Sequence, residues 1–256
     1  MKILCLGRIL HELSLRELTQ LTTPVSAVEK PDLLLAGGDL LLGHAGSLRR
    51  LAEEWPDSGL QYLILSDSPL ARPTIRDLLP SQPAWVRPAN LPPGAMGPRF
   101  CLWHAGNERL GIVSLVTDSD RSVDDVFSTL ANLLQVDLRG VPTLVFAHGA
   151  DLNLKQALSW SFSSHETPVH VLGMGLGVAT ADEQIVSGRA WISDIGGVGR
   201  AGGIGGSDPD VWWKRHREKI PLEAAPPVGR LMADAVCLEL GLSGKCSAIR
   251  RQRIGG

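Results

Sequence analysis

Short, continuous apolar runs that end abruptly in glycine or a polar residue constrain the fold of this chain most. They recur along the first two thirds of the sequence, and helical patterns separate them. Runs without polar alternation are typical of strands that are covered on both faces, as in layered α/β proteins. The runs are KILCLG (2–7), DLLLAGG (32–38), QYLILSD (61–67), RLGIVSLV (109–116), PTLVFAH (142–148) and PVHVLG (168–173).

Helical patterns in the intervals predict a β-α-β-α-β alternation over the first eighty residues. The predicted helices contain LHELSLRELTQL, SLRRLAEEW starting near Ser47, PTIRDLL, SVDDVFSTLANLL starting at Ser122, and NLKQALSWSF. Later segments, GRAWISDIGG and VCLELGLSGKCSAIRRQRI, indicate strands and hairpins. Pro/Gly-rich stretches at 80–98 and 194–209 predict long loops, which are often functional when they lie over a site. No linker divides the chain, so we expect one domain spanning residues 1–256.

The amino-acid composition and net charge limit which classes of partner this chain is expected to bind. A hydrophobic content of 44% is enough for a sizeable core, and a net charge of −2 gives no electrostatic reason to expect nucleic acid or an anionic membrane. Four scattered cysteines form no C-x-x-C motif, which indicates reduced thiols in a cytoplasmic protein. No apolar run is long enough to span a membrane.

The residues directly after each predicted strand are the candidates for a site, because ligands of open α/β sheets bind beyond the carboxyl ends of the strands. Arg8 follows the first strand, Asp39 the second and Asp67 the third, while His148 ends the strand PTLVFAH. The stretch GMGLGVATADE at 173–183 follows PVHVL. We therefore expect two carboxylates, an arginine, a histidine and alternate glycines to converge.

Standard phosphate-binding motifs do not account for these glycines. A dinucleotide fingerprint requires G-x-G-x-x-G opening a helix, whereas GMGLGVA runs into a predicted hairpin, and no G-K-[ST] of a P-loop follows. Two interpretations stay open from the residues alone: a close approach of backbone to a phosphate, or the loss of side chains that once acted there. The basic tail RRQRI indicates a solvated edge strand rather than a nucleic-acid site.

Two segments carry a resemblance to a known family. RPANLPPGAMG (87–97) and TADEQI…GRAWISDIGGVG (180–199) resemble signatures of the YmdB-like family, bacterial calcineurin-type metallophosphoesterases associated with cleavage of phosphodiesters, including 2′,3′-cyclic nucleotides. The similarity runs in order from KILCLGRI to SGKCSAIRRQRI. It implies a layered α/β sandwich with two metal ions at the strand ends.

The chain departs from the family pattern at most of the implied metal ligands. Arg8 stands in place of an aspartate, and Gly38, Asp39 and Leu40 replace a glycine-glutamate-asparagine turn. Asp67 and Ser68 replace an asparagine-histidine pair, whereas the next histidine is kept as His148. The Met-Gly-Leu-Gly run at 174–177 replaces a threonine-histidine-threonine-histidine run, so the resemblance favours a vacated metal site over a phosphate cradle.

These departures predict a pseudoenzyme with a binding or scaffolding role and no metal cofactor. Arg8 would pair with Asp39 or Asp67, or bind the phosphate of a nucleotide ligand, and Asn90 would order the loop beside it. A protein partner or a second copy of the chain is the other predicted partner. The alternative is a weak phosphodiesterase in which Asp39, Asp67 and His148 hold one Mn, Fe or Mg ion and His148 serves catalysis.

Overall fold

The computed structural model describes residues 1–11, 13–38, 45–118, 123–222 and 225–255. Its strands are β1 (Lys2–Ile9), β2 (Leu33–Gly37), β3 (Tyr62–Ile64), β4 (Trp85–Val86), β5 (Phe100–Ala105), β6 (Glu108–Val116), β7 (Thr143–His148), β8 (Val169–Met174), β9 (Gln184–Val186), β10 (Arg189–Ile192), β11 (Gly197–Arg200), β12 (Leu231–Leu240) and β13 (Cys246–Gly255). Its α-helices are α1 (Leu15–Glu29), α2 (Ala45–Glu53), α3 (Pro73–Leu78), α4 (Val126–Gln135), α5 (Leu152–Ser161) and α6 (Pro209–Glu218).

The strands form two sheets. The first has the order β13-β12-β11-β1-β2-β3-β4, in which β11, β1, β2, β3 and β4 run parallel and β12 is antiparallel to its neighbours. The second has the order β5-β6-β7-β8-β10-β9, with β6, β7, β8 and β10 parallel. The carboxyl ends of these parallel strands are where the candidate residues lie.

Three apolar clusters define four layers. The central cluster joins the inner faces of the two sheets, with Ile3 of β1 and Phe146 of β7 both fully buried. A second cluster packs α1, α2 and α3 on the first sheet, and a third packs α4 and α5 on the second. Both sheets are thus covered on both faces, which explains their continuous apolar sequences. The predicted layered α/β sandwich is confirmed.

Local signals fix where the helices begin. Ser14 and Glu17 form a capping box at the start of α1, and Asp151 accepts a bond from the backbone of Leu154 at the start of α5. Asp125 caps α4 in the same way, so this helix begins after the predicted Ser122, which lies outside the described residues. Such caps satisfy backbone donors that the helix itself leaves unpaired.

The predicted β-α-β-α-β order of the first eighty residues is confirmed, as are both hairpins, β9–β10 and β12–β13. Three local predictions were wrong. The stretch 194–209 is not one loop, because Gly197–Arg200 pairs in parallel with β1 as β11. Helix α2 already begins at Ala45, so Ser47 is not its cap. Strand β4 interrupts the predicted loop at 80–98.

Among the described helices, none has both the length and the apolar character needed to cross a membrane.

Candidate functional site

The carboxyl ends of parallel strands from both sheets meet at one edge of the sandwich. Arg8, near the end of β1, donates a hydrogen bond from Nη1 to the carbonyl oxygen of Gly175, directly after β8. Ser114 of β6 donates from Oγ to the carbonyl oxygen of Leu65, just after β3, over 2.6 Å. These two bonds join the sheets on either side of His148, whose partner in register on β8 is Met174.

His148 is a buried imidazole that lacks hydrogen-bond partners. His148 is the last residue of β7 and is 2% exposed. Neither Nδ1 nor Nε2 has a hydrogen-bond partner among the described residues. Burial, followed by the positive charges of Arg8 and Lys155, lowers the pKa of His148 to about 3. The ring is therefore neutral near pH 7, with one donor and one acceptor that the protein does not satisfy.

Lys155 and Asp194 form a fully buried ion pair beside His148. The Nζ of Lys155 lies 3.4 Å from Oδ2 of Asp194 and also donates to the carbonyl oxygen of Ser193 over 3.3 Å. Burial lowers the pKa of Lys155 and raises that of Asp194, and each charge opposes the effect on the other. The charges of Arg8 and Asp118 also act on Lys155, so these groups share one neighbourhood.

The carboxylate of Asp194 holds the glycine-rich loop in place. It accepts from the backbone N–H of Leu176 and of Gly196, each over 2.9 Å. Thr180 bonds the backbone of Asp194 in both directions, and Asp182 accepts from the backbone and hydroxyl of Ser193. The two parts of the 180–199 signature, TADE and GRAWISDIGG, are thus joined to each other by hydrogen bonds.

Contacts with backbone require glycine at 173 and 175, whereas at 177 the backbone conformation favours it. A Cβ atom at Gly173 would lie 1.8 Å from the carbonyl oxygen of Ser193. At Gly175, where φ is +132°, it would lie 2.4 Å from the carbonyl oxygen of Gly149. At Gly177, where φ is +71°, it would meet only the flexible Leu10 side chain, at 2.9 Å. The backbone around Gly175 therefore leaves no space for a side chain, in a conformation that L-residues rarely adopt.

A carboxylate after β6 binds the turn that follows His148. Both oxygens of Asp118 accept from the backbone N–H of Ala150, over 3.0 and 2.9 Å. They lie against Gly149, whose φ is +151°. The turn after His148 is consequently held between Asp118 and the backbone of Gly175.

The structure places the other predicted site residues as follows. Asp67 is half-buried and its carbonyl oxygen accepts from Leu70 in a short 3₁₀ turn, while its side chain makes no cap bond. Asp39 lies outside the described residues, so its pairing with Arg8 stays a prediction.

Asn90 is fully buried and ties the 87–97 loop to distant backbone. Its Nδ2 donates to the carbonyl oxygens of Val116 and Asp124, and its Oδ1 accepts from the N–H of Val116. Val116 is the register partner of His148. The loop therefore packs beside the strand ends, as predicted, and a ligand-contacting role for Asn90 stays a prediction.

Within the described part of the chain, no three His, Cys, Asp or Glu side chains are grouped closely enough to hold a metal ion. His148 contributes an imidazole, but the neighbouring charges from Arg8 and Lys155 are positive. Such charges stabilise anions and repel cations.

Sequence reasoning missed Lys155, Asp194 and Asp118. Lys155 precedes the buried Leu158 by three positions on α5, so helical spacing already put it on the inner face. Asp194 was inside the segment that carried the family resemblance. Asp118 is the second residue after β6, close to the positions that strand-end reasoning favours.

The arginines of the basic tail are each paired with a carboxylate. Arg250 bonds Glu29, Arg251 bonds Glu183 and Arg253 bonds Asp234. These arginines are exposed, and their charges are neutralised within the chain.

Comparisons with known proteins agree on family and fold. A family model described as YmdB-like protein matches residues 4–252. The 2′,3′-cyclic-nucleotide 2′-phosphodiesterase of Bacillus subtilis (strain 168) is 23% identical over 257 residues, covering 99% of this chain and 96% of that protein.

Two solved structures share the fold, each with a TM-score of 0.85. A hypothetical protein from Thermus thermophilus is 24% identical and covers 100% of this chain and 99% of its own. A novel phosphatase from Mycoplasma pneumoniae is 17% identical and covers 100% and 94%.

Proposed function

We propose that this chain, which belongs to the YmdB-like family and is similar to a phosphodiesterase, is a non-catalytic member of that family. In this proposal its dinuclear metal site has degenerated. Its role is binding or scaffolding, with the strand-end pocket as the place where a phosphate or nucleotide would bind. A protein partner is the other class of ligand that fits this role.

The contact between Arg8 and Gly175 carries the proposal. A two-metal centre needs several oxygen or imidazole ligands that hold the ions a few ångströms apart. Here the guanidinium of Arg8 bonds the carbonyl oxygen of Gly175, and the backbone of Gly175 packs against Gly149 with no space for a side chain. The described residues therefore do not fit a pair of metal ions.

Charge balance supports the same conclusion. Two cations, Arg8 and Lys155, stand beside two carboxylates, Asp118 and Asp194, and a neutral His148. A guanidinium keeps its proton at every relevant pH, so its charge cannot be withdrawn to admit a metal. We propose that Arg8 takes over the counter-charge that a metal supplies in an active phosphoesterase, for Asp39 or Asp67 in the same pocket.

Metal analysis and an activity assay test the proposal. We expect the purified protein to contain no stoichiometric transition metal and to leave bis-p-nitrophenyl phosphate and 2′,3′-cyclic AMP intact in Mn²⁺. The Bacillus subtilis relative, assayed in parallel, is the positive control. The variant Arg8→Asp introduces the aspartate that the family resemblance implies at this position. It should stay inactive because position 175 still has no space for a ligating side chain. Turnover in wild type that is lost in His148→Ala would overturn the proposal.

The second candidate is a weak, one-metal phosphodiesterase, and the unsatisfied ring of His148 favours it. A neutral, buried imidazole with no hydrogen-bond partner is a suitable metal ligand. Asp39 and Asp67 would complete the ligand set. A thermal midpoint that rises with Mn²⁺ in wild type, and no longer rises in His148→Leu, would identify this candidate. An unchanged midpoint in both supports the non-catalytic protein.

Binding of a phosphate ligand has its own test. Titration with inorganic phosphate and with 2′,3′-cyclic AMP, followed by calorimetry, should give heat in wild type that falls in Arg8→Gln. The matched control is Arg250→Gln, which removes a guanidinium already paired with Glu29 on β13. Equal binding by both variants would exclude Arg8 as the phosphate contact.

A further inference from the structure

We propose that the outer face of α6 is a self-association surface, on which α6 of a second copy of this chain packs in antiparallel orientation. None of the ten residues of this helix is buried in the described structure, and Trp213 is 55% exposed. Tryptophan is highly buried on average, and the exposed Trp213 lies on a helix without buried residues, whereas the exposed Trp160 lies on α5, which has buried residues. Tryptophan is typical of the centre of an interface.

The geometry of the helix separates an inner from an outer face. Val211 and Trp212 are half-buried, and the indole of Trp212 stacks on the ring of His216 with centroids 5.1 Å apart. Asp210, Trp213, Lys214 and Arg217 are all exposed. These four residues follow the i, i+3, i+4, i+7 spacing of one helical stripe, here called the outer stripe.

The outer stripe is complementary to itself. In an antiparallel pair centred between positions 213 and 214, Asp210 faces the partner's Arg217, and Trp213 faces the partner's Lys214. Each contact then occurs twice, as a two-fold axis requires. One pairing joins opposite charges and the other places an ammonium group over an indole, a favourable cation–π arrangement.

The polar groups of the stripe are available for such contacts. Within the described residues, the side chains of Asp210, Lys214 and Arg217 make no hydrogen bond or ion pair. The acidic residue lies in the first turn and the basic residues in the last, so only an antiparallel partner helix matches both ends.

The size of the helix sets the strength of association. Ten residues span about 15 Å, which is shorter than the contact of a typical stable dimer. Ile204 and Ile220, which precede and follow the helix in the sequence, are also exposed, at 41% and 46%. We expect a weak, concentration-dependent dimer rather than a permanent one.

Sedimentation velocity across a wide range of concentration tests the dimer. Wild type should shift from monomer to dimer as concentration rises, and Trp213→Ala should weaken the association about tenfold or more. The matched control is Trp160→Ala, which removes an indole that is 77% exposed on α5, away from the stripe, and should leave association unchanged.

Charge reversal identifies the orientation. Asp210→Lys and Arg217→Glu should each weaken the dimer, because each sets like charges opposite one another. The double variant restores opposite charges at both ends and should recover the association. Circular dichroism of each variant checks that the fold is retained. A chain that stays monomeric, a dimer indifferent to Trp213→Ala, or a double variant as weak as the singles would overturn the proposal.

Discussion

His148 and His170 are both buried on neighbouring strands of the second sheet, and their ring nitrogens are placed in opposite environments. On β8, Nδ1 of His170 accepts from the N–H of Ala190 over 3.0 Å, and Nε2 donates to the carbonyl oxygen of Gly244 over 2.9 Å. On β7, neither nitrogen of His148 has a partner among the described residues. Burial lowers the pKa of His170 to about 4 and that of His148 to about 3.

The difference separates a histidine with a structural role from one whose ring makes no hydrogen bond among the described residues. His170 joins β8 to β10 and to the turn between β12 and β13, so its ring satisfies backbone groups of two other segments. His148 satisfies none, and it stands next to Arg8 and Lys155. A buried polar group without partners destabilises the fold, which in native proteins usually indicates a functional origin.

The largest expected effect comes from placing a second imidazole next to His148. Gly175→His should lower the free energy of unfolding by about 4 kcal/mol or more, because of a left-handed φ and a backbone contact at Gly149. It should not create Mn²⁺-dependent activity. Urea denaturation measures the loss.

The control for this substitution is Gly94→His, where a Cβ has no atom within 4 Å and φ is not left-handed. Its stability should equal that of wild type within about 0.5 kcal/mol. A stable Gly175→His that gains activity would mean that the site is open and merely lacks one ligand.

The next effect compares the two histidines directly. His170→Leu leaves the N–H of Ala190 and the carbonyl oxygen of Gly244 unpaired, and should destabilise by about 3 kcal/mol. His148→Leu removes two unsatisfied nitrogens and should be neutral within about 1 kcal/mol, or stabilising. The same denaturation experiment measures both. Equal losses for the two variants would show that His148 has partners as important as those of His170.

The smallest expected effect is the change in folding stability per pH unit. Both folded pKa values lie below the ordinary value of 6.5, so the unfolded chain binds more protons between pH 6.5 and 4. Stability should be fully present above about pH 6.5 and fall with acidification, by about 1.4 kcal/mol per pH unit for each histidine. Arg189 beside His170, and Arg8 and Lys155 beside His148, act in the same direction.

Denaturation of wild type and His148→Leu from pH 7 to 4.5 measures this slope. The variant should lose half of the histidine contribution because only His170 then remains. An identical slope in both proteins would mean that His148 already binds a proton in the fold, contrary to its burial.

Much of the architecture was determined by the sequence itself. Continuous apolar runs predicted six strands, since strands covered on both faces have no polar side to interrupt them. The strand-end rule brought Arg8, His148 and the alternate glycines together, because carboxyl ends of parallel strands share one edge. The family resemblance predicts that the glycines at 175 and 177 stand where the family has histidines, and this stays a prediction.

Tertiary structure alone decided the rest. Strand β11 lies in a stretch rich in glycine, and it forms because β1 and β12 offer unpaired backbone on both sides, which no local propensity reports. Helical spacing puts Lys155 on the inner face of α5, but only the packing of α5 on the second sheet brings its ammonium group to Asp194. The contrast between His148 and His170 has the same origin, since hydrogen-bond satisfaction depends on which distant backbone groups reach each ring.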